Sequence, residues 1–222
     1  TIVLDTVPPR GTMSIGDGGG FVHEPTVIVY LEMEDANGLS GMRASATPDM
    51  DGVEWMPYGP TFEWVLPVKE GEHRVHVQVR DAAGNVRTKE LRTFLDMTDP
   101  EVSMTIAGGL VATLETDVEV QWSAMDSNGL DCVRFAYEPN FTGVRWRFPF
   151  TTGLNEVSDV EWMELAAEGE RRFYVQVMDL SGRVATASDT IWYIRDRPEG
   201  AIVLGDGAGW TSTPEVPVSA SW

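Results

Sequence analysis

The sequence predicts an all-β chain in which β-sandwich domains follow one another in tandem. The main observation is a duplicated segment: EGEHRVHVQVRDAAGNV at 70–86 returns as EGERRFYVQVMDLSGRV at 168–184, with ten of seventeen positions identical. A second duplicated segment, GTMSIGDGGGFVHEPTV at 11–27, returns as GAIVLGDGAGWTSTPEV at 200–216. Segments copied at a fixed period indicate that one structural unit has been duplicated. Short alternations of apolar and polar residues, which are typical of strands, are the third observation.

The centre of each repeat is predicted to be a hairpin. The valines of VHVQV at 75–79 alternate with polar residues, which is the pattern of a strand with one buried face. We therefore expect Val77 and its counterpart Val175 in the cores, with Gln78 facing outward. The following DAAGN at 81–85 has the Asp, Gly and Asn that turns favour, so the chain should reverse there into a second strand.

Further short strands are predicted to precede the hairpin, and no segment has a convincing helical period. About seven short strands with regular turn signals are typical of a sandwich. In the first and second repeat, respectively, they are expected at 12–15 and 103–106, at 27–33 and 118–124, at 41–46 and 132–137, around Trp55 and Trp146, and around Trp64 and Trp162.

The offsets between copies predict the domain boundaries. The offset is 91 residues in the first part of the repeat and 98 after the tryptophan pair, so an insertion of seven residues is expected near 151–158. The start of a third copy, at 200–216, lies 189 residues after the matching segment at 11–27, and this offset equals the sum of 91 and 98. We predict one sandwich at 1–98, a second at 99–197, and the start of a third, truncated repeat at 198–222. Both ends look cut from a longer array.

Composition limits the classes of partner. The formal charge is −19, and only two of the sixteen basic residues are lysines. Binding to nucleic acid or to an anionic membrane surface needs clustered positive charge, so neither is expected. The acidity suits divalent cations, cationic surfaces or simple solubility. No apolar run approaches the roughly 20 residues of a membrane span, and the single cysteine, Cys132, is expected to be a packed free thiol.

A resemblance adds to this interpretation. LDTVPP, D-x-NGL, WMPY, WVL and GEHRVHVQVRDAAGNV together resemble the immunoglobulin-like repeat of large bacterial and archaeal surface proteins and secreted multidomain enzymes. The most specific part is VQVRDAAGN at 77–85, from which the second repeat departs at Met178, Leu180 and Arg183. The resemblance implies an extracellular location at the cell surface, a tandem immunoglobulin-like fold, and no catalytic residues.

No group of residues predicts an active site, so the segment is not expected to be an enzyme. His73 and His76 are replaced by Arg171 and Tyr174 in the second repeat, and the glycine-rich GDGGG precedes a predicted strand rather than a helix. The tryptophans could stack on sugars. Their recurrence at matching positions favours a place in the core.

Repeated aspartates predict one site. In a Greek-key sandwich three segments share one end, or pole: the entry linker, the loop between the second and third strands (B–C loop, 34–40 and 125–131), and the turn of the central hairpin (F–G turn, 81–85 and 179–183). Each repeat has aspartates in these three segments. Carboxylates at an interdomain junction suit Ca²⁺. An aspartate that opens a turn also caps its own backbone without a metal, so both interpretations are open. The candidate ligands are Asp5, Asp35 and Asp81 at the first pole, and Asp96 or Asp99 with Asp126 and Asp179 at the second.

A second candidate site is an N-glycosylation sequon. The triplet Asn140-Phe141-Thr142 has the required pattern, and it follows a predicted strand, where a loop could accept a glycan. Asn140 is therefore a candidate modification site.

The leading functional hypothesis is structural: a spacer segment of an exported surface protein, serving as a stalk, surface layer or filament building block. Its partners would be neighbouring repeats of the same chain or of identical chains, and short proline-containing linkers at 5–9 and 96–100 would limit bending. The alternative is a binding module, an adhesin or the carbohydrate-binding accessory of a secreted enzyme, with Phe21 and Trp210 as candidate glycan contacts. An enzymatic role would need a catalytic domain outside this segment.

Overall fold

A computed structural model describes residues 4–147, 154–196, 199–204, 215 and 218–221. Among these residues, strands dominate, and the only helix is a three-residue 3-10 turn at Ala107–Gly109, so the predicted all-β fold is confirmed. None of the described helical residues forms a segment long and apolar enough to cross a membrane. The strands are β1 (Arg10–Ile15), β2 (Phe21–Val22), β3 (Thr26–Glu34), β4 (Leu39–Ser45), β5 (Thr61–Val65), β6 (Gly71–Asp81), β7 (Val86–Leu95), β8 (Glu101–Ile106), β9 (Ala112–Thr113), β10 (Asp117–Met125), β11 (Leu130–Ala136), β12 (Glu156–Glu164), β13 (Gly169–Asp179), β14 (Val184–Tyr193), β15 (Ala201–Leu204) and β16 (Val218–Ser221).

The strands form two sandwiches with the same topology. In the first, a three-stranded sheet of order β1-β3-β5 packs on a four-stranded sheet of order β2-β7-β6-β4. In the second, the corresponding sheets are β8-β10-β12 and β9-β14-β13-β11. Strands β15 and β16 form a separate antiparallel pair, in the segment where a third repeat is expected to begin. The domain boundaries at residues 98 and 197 stay predictions.

Each sandwich is held by its own apolar core, and alternation decides which residues enter it. In β6, Val75, Val77 and Val79 are fully buried between the sheets, as are Val175 and Val177 in β13. A strand points successive side chains to opposite faces, so the intervening polar residues lie on the outside of the sheet. The prediction that Val77 and Val175 lie in the cores is confirmed.

The segment around Trp55 forms no strand, contrary to the prediction. It contributes a single bridge, between Met42 and Met56, and the segment of Trp146 likewise contributes only the bridge between Val133 and Arg147. In the first repeat, the residue after the bridge is Pro57, which has no N–H with which to continue a ladder.

The predicted equivalence of Trp64 and Trp162 is wrong. Trp64 lies opposite Val27 and is partly buried against the first core, whereas Trp162 lies opposite Glu119 and is 62% exposed. Met163 takes the buried position instead. Val118 corresponds to Val27, and its partner in β12 is Met163 rather than Trp162. A shift of one residue moves a side chain to the other face of its strand, so Trp162 points outward.

Strands β2 and β9 were not predicted, because the glycine-rich segment was interpreted as a turn alone. Each has only two residues and pairs in parallel with the last strand of its own repeat, as in Phe21–Val22 with Phe94–Leu95. Two residues are too few to show an alternation, and the partner strands lie about 73 and 80 residues away in sequence.

Cys132 is predicted to be unreactive in the folded protein. Its side chain is completely buried, and burial raises the pKa of the thiol to about 12, with the charge of Asp131 adding to the effect. Only the thiolate is an effective nucleophile, so a disulfide reagent at mildly alkaline pH should leave the native protein unmodified and react promptly once denaturant is added. Rapid modification of the native protein would contradict this assignment.

Candidate functional site

The junction between the two sandwiches brings three aspartates together. Asp96 follows β7 of the first sandwich, Asp126 follows β10, and Asp179 ends β13. One carboxylate oxygen of each lies within 4.8 Å of the other two, and all three residues are buried. Asp96 is placed there by the edge of the first sandwich, since its backbone N–H donates to the carbonyl oxygen of Val22 at 2.9 Å. The group therefore combines one carboxylate of the first repeat with two of the second.

In the second sandwich, each aspartate caps its own turn through Oδ1. Asp126 Oδ1 accepts a hydrogen bond from the N–H of Asn128 at 2.7 Å. Asp179 Oδ1 accepts from the N–H of Ser181 at 2.8 Å and from the N–H of Arg183 at 3.0 Å. The turn-capping interpretation is therefore correct for one oxygen of each carboxylate.

Asp96, in the linker, also uses Oδ1 to cap a turn. Asp96 Oδ1 accepts from the hydroxyl of Thr98 at 2.9 Å and from its N–H at 3.2 Å. The second carboxylate oxygens of Asp96 and Asp179 take no part in the turns. Oδ2 of Asp96 and Oδ2 of Asp179 are both buried, and neither has a hydrogen-bond partner among the described residues. Turn capping and convergence are compatible, because a carboxylate has two oxygens and the turn uses one.

The charges in this group are not balanced. Burial raises the pKa of Asp126 and of Asp179, and the negative charge of Asp96 raises both further, against the effect of their turn hydrogen bonds. Glu70 adds a further negative charge beside Asp126. None of the ion pairs between described residues includes Asp96, Asp126 or Asp179. The three-aspartate group therefore concentrates negative charge, and no ion pair in the described part of the chain includes any of its members.

The other candidate in the linker, Asp99, has a different role. Its Oδ1 accepts a hydrogen bond from Arg183 Nε at 2.7 Å, and its side chain is largely exposed. Arg183 occupies the position that Asn85 has in the first repeat, and its side chain points to the linker. Of the two linker aspartates, Asp96 alone belongs to the three-membered group.

The first pole repeats the arrangement with a different outcome. Oxygens of Asp5, Asp35 and Asp81 also lie within 4.8 Å of one another. Here amide donors are bonded to two of them: Asn37 Nδ2 donates to Asp5 Oδ2 at 2.8 Å, and Asn85 Nδ2 donates to Asp81 Oδ2 at 2.9 Å. Burial raises the pKa of Asp81, but hydrogen bonds from Asn85 and from the turn outweigh burial, and the pKa lies below its usual value. Side-chain amides therefore provide hydrogen bonds to two of the three carboxylates at this pole.

The tryptophans Trp55, Trp162 and Trp192 do not lie together on one exposed face. Trp55 lies between two guanidinium groups, with Arg43 Cζ at 4.5 Å and Arg80 Cζ at 4.4 Å from its ring centroid, as expected for cation–π stacking. Trp162 and Trp192 are exposed but belong to opposite sheets, in β12 and β14.

The two aromatic residues suggested as glycan contacts give no support for that role. Phe21 is half-buried against Phe94, with ring centroids 5.4 Å apart, and Trp210 lies outside the described residues.

The sequon lies in an ordered turn. Asn140 is exposed, and its Oδ1 accepts a hydrogen bond from the N–H of Thr142 at 3.1 Å, while Phe141 is buried at a positive φ of 49°. Glycosylation of Asn140 stays a prediction.

Comparison with known proteins places the fold. No protein-family model and no curated protein matches the sequence. Among solved structures, the chain is similar to fibronectin(III)-like modules of CbhA from Clostridium thermocellum, with 14% identity, a TM-score of 0.53, and coverage of 82% of this chain and 94% of that chain.

Two other matches have lower TM-scores. A tetra-tandem repeat from the extending region of a large adhesion protein has 10% identity, a TM-score of 0.33, and coverage of 89% and 52%. A structure from a 1.5-MDa bacterial ice-binding adhesin has 13% identity, a TM-score of 0.33, and coverage of 90% and 70%. The CbhA similarity and the observed topology show that the chain has an immunoglobulin-like β-sandwich fold.

Proposed function

We propose that the chain is a structural spacer segment of an exported cell-surface protein, built from tandem immunoglobulin-like repeats. Its partners are the neighbouring repeats of the same chain or of identical chains, and its place is outside the cell. The formal charge of −19 supports this proposal, because a strongly charged surface keeps an exposed array soluble.

The observation that carries the proposal is the joint between the sandwiches. Only five residues, 96–100, separate β7 from β8. The linker is bonded to both sides: the N–H of Met97 donates to Glu70 Oε1 of the first sandwich at 3.0 Å, and Asp99 accepts from Arg183 of the second. A short linker bonded at both ends restricts rotation of one domain against the other.

The sandwiches also touch directly. His23 Nδ1 donates to the carbonyl oxygen of Ser181 at 2.9 Å, which connects the first repeat to the F–G turn of the second. This contact adds a third point of attachment near the linker, and three attachment points favour one fixed orientation.

Chain direction makes the arrangement linear. Strand β6 ends in the turn at the first pole, and β7 starts there and runs antiparallel to β6, so the chain leaves the first sandwich at the opposite end. The second sandwich receives it at the pole that carries Asp126 and Asp179. Repeats connected in this way extend end to end and contact mainly their neighbours.

Small-angle X-ray scattering of the whole chain tests the proposal. A strand of 11 residues at ~3.4 Å per residue spans roughly 37 Å. Two sandwiches in line should therefore give an asymmetric distance distribution whose largest distance is at least about twice that length. Calibration against a globular protein of similar mass provides the control. A symmetric, globular distribution would contradict an extended spacer.

A further inference from the structure

We propose that Asp96, Asp126 and Asp179 bind one Ca²⁺ that fastens the joint between the two sandwiches. The binding site stands on its own geometry, whereas its role in stiffening an array rests on the proposed spacer function. Binding would connect the repeats, because Asp96 belongs to the exit of the first sandwich and the other two ligands to loops of the second.

The distances fit one ion. Ca²⁺ binds oxygen ligands at about 2.3–2.6 Å, so two oxygens on opposite sides of one ion are at most about 5 Å apart. The three carboxylate oxygens lie within 4.8 Å of one another, and a single ion between them would reach all three. Calcium accepts several carboxylates together with carbonyls and water in a flexible geometry, which suits ligands that come from three separate segments.

The unpartnered oxygens are the independent observation. Asp96 is 0% and Asp179 is 1% exposed, and Oδ2 of each has no hydrogen-bond partner among the described residues. A buried charged oxygen without a partner is costly, since it has lost water and gained nothing in exchange. Their other oxygens already serve the turns, so the unpartnered ones are available to a cation while the loops keep their shape.

The electrostatics select a cation rather than a neutral donor. Three carboxylates with Glu70 beside them repel one another, and a divalent ion removes that repulsion. At the first pole, Asn37 and Asn85 already donate to the aspartates, so that pole has less need of an ion. The counterpart of Asn85 in the second repeat is Arg183, which is bonded to Asp99 instead. Buried carboxylate oxygens that lack a donor are therefore found at the second pole among the described residues.

The next linker lacks the site's first ligand. The N–H of Ile194 donates to the carbonyl of Thr113 as the N–H of Asp96 donates to that of Val22, so Ile194 occupies the equivalent position in the second repeat. An isoleucine offers no oxygen for a metal. Joints within one array would thus differ, with a cation fastening the joint at 96–100 and no equivalent ligand at position 194.

Calorimetric titration of Ca²⁺ into the whole chain, freed of metal by a chelator, tests the site. We expect one binding event, lost or weakened at least tenfold in Asp96→Asn and in the double variant Asp126→Asn, Asp179→Asn. Asp99→Asn is the matched control, because it removes the same charge from the same linker outside the group, and it should bind like the wild type. Absence of binding at millimolar Ca²⁺, or equal loss in Asp99→Asn, would overturn the proposal. Equal affinity for Mg²⁺ would overturn the assignment to calcium.

Thermal melting separates loss of a ligand from loss of folding. With chelator present, Asp179→Asn should melt at or above the temperature of the wild type, because the amide keeps the turn and removes a buried repulsion. With Ca²⁺ present the order should reverse, as the wild type alone gains the binding energy. A variant less stable than the wild type by the same amount in both buffers would show a purely structural role and overturn the proposal. Scattering measured with and without Ca²⁺ tests the stiffening separately: unchanged extension alongside clear binding would count against the spacer function and leave the site standing.

Discussion

Replacement of Phe173 by alanine is expected to destabilise the second sandwich by about 3–5 kcal/mol, the usual range for removing a buried phenylalanine ring. Phe173 is buried in β13, where its ring stacks on Phe135 at a centroid distance of 6.0 Å and contacts Tyr137 at 5.2 Å. Trp122 packs edge-on against Phe135, with ring centroids 5.4 Å apart. Removal of the ring would leave a cavity in the middle of an aromatic cluster that no small movement could fill.

The first repeat supplies the control for this change. Val75 occupies the corresponding position and is fully buried, so Phe173→Val places a residue that this fold accepts at the same site. It should be less destabilising than alanine, while Arg172→Ala, on the exposed face of the same strand, should change stability by under about 0.5 kcal/mol. Chemical denaturation that resolves the two sandwiches is the measurement. An equal effect of the Phe173 and Arg172 variants would show that the inward face has been misassigned.

Gly11→Ala is expected to weaken the first sandwich by about 2–5 kcal/mol, because it combines a strained backbone with a steric clash. Gly11 lies in β1 at a φ of 137°, which side-chain-bearing residues rarely adopt. A Cβ at this position would lie 1.9 Å from the carbonyl oxygen of Glu32 on the neighbouring strand. The expected result is detachment of β1 from β3, measured as a lower unfolding midpoint of the first sandwich.

Gly18→Ala is the matched control for that prediction. Gly18 also has a positive φ, 83°, but no atom lies within 4 Å of the Cβ that alanine would add. Its replacement carries the backbone strain without the clash and should be clearly less destabilising than Gly11→Ala. Equal destabilisation by the two variants would contradict the clash at Gly11.

Local chemistry made much of the fold predictable. The alternation in β6 and β13 predicted which valines are buried, since the side-chain period of a strand is a property of the backbone itself. Chain order within a Greek-key sandwich predicted that the linker, the B–C loop and the F–G turn would meet, and the aspartates of those three segments lie together at both poles. The sequence by itself therefore determined the fold class and the three segments that supply the candidate ligands, while Asp96 and Asp99 stayed alternatives.

Features that depend on register or on distant partners needed the tertiary structure. An insertion can be counted from the sequence, but the register in which β12 pairs with β10 decides which of its side chains face the core, and so Trp162 is exposed while Met163 is buried. Pairing of the two-residue strands with β7 and β14 depends on contacts between segments remote in sequence.

The difference in hydrogen bonding between the two poles also depends on contacts between distant segments. Both carry the same aspartates in sequence, yet Asn37 and Asn85 donate to the carboxylates of the first pole, while Arg183 turns to Asp99 and leaves the second pole without that donor. Whether a buried oxygen has a partner is a property of the folded arrangement, because the donor comes from another segment and its side chain has several rotamers. The sequence thus predicted which segments bring their carboxylates together, and only the tertiary structure decided that Asp96 rather than Asp99 joins the group and which oxygens are left without a partner.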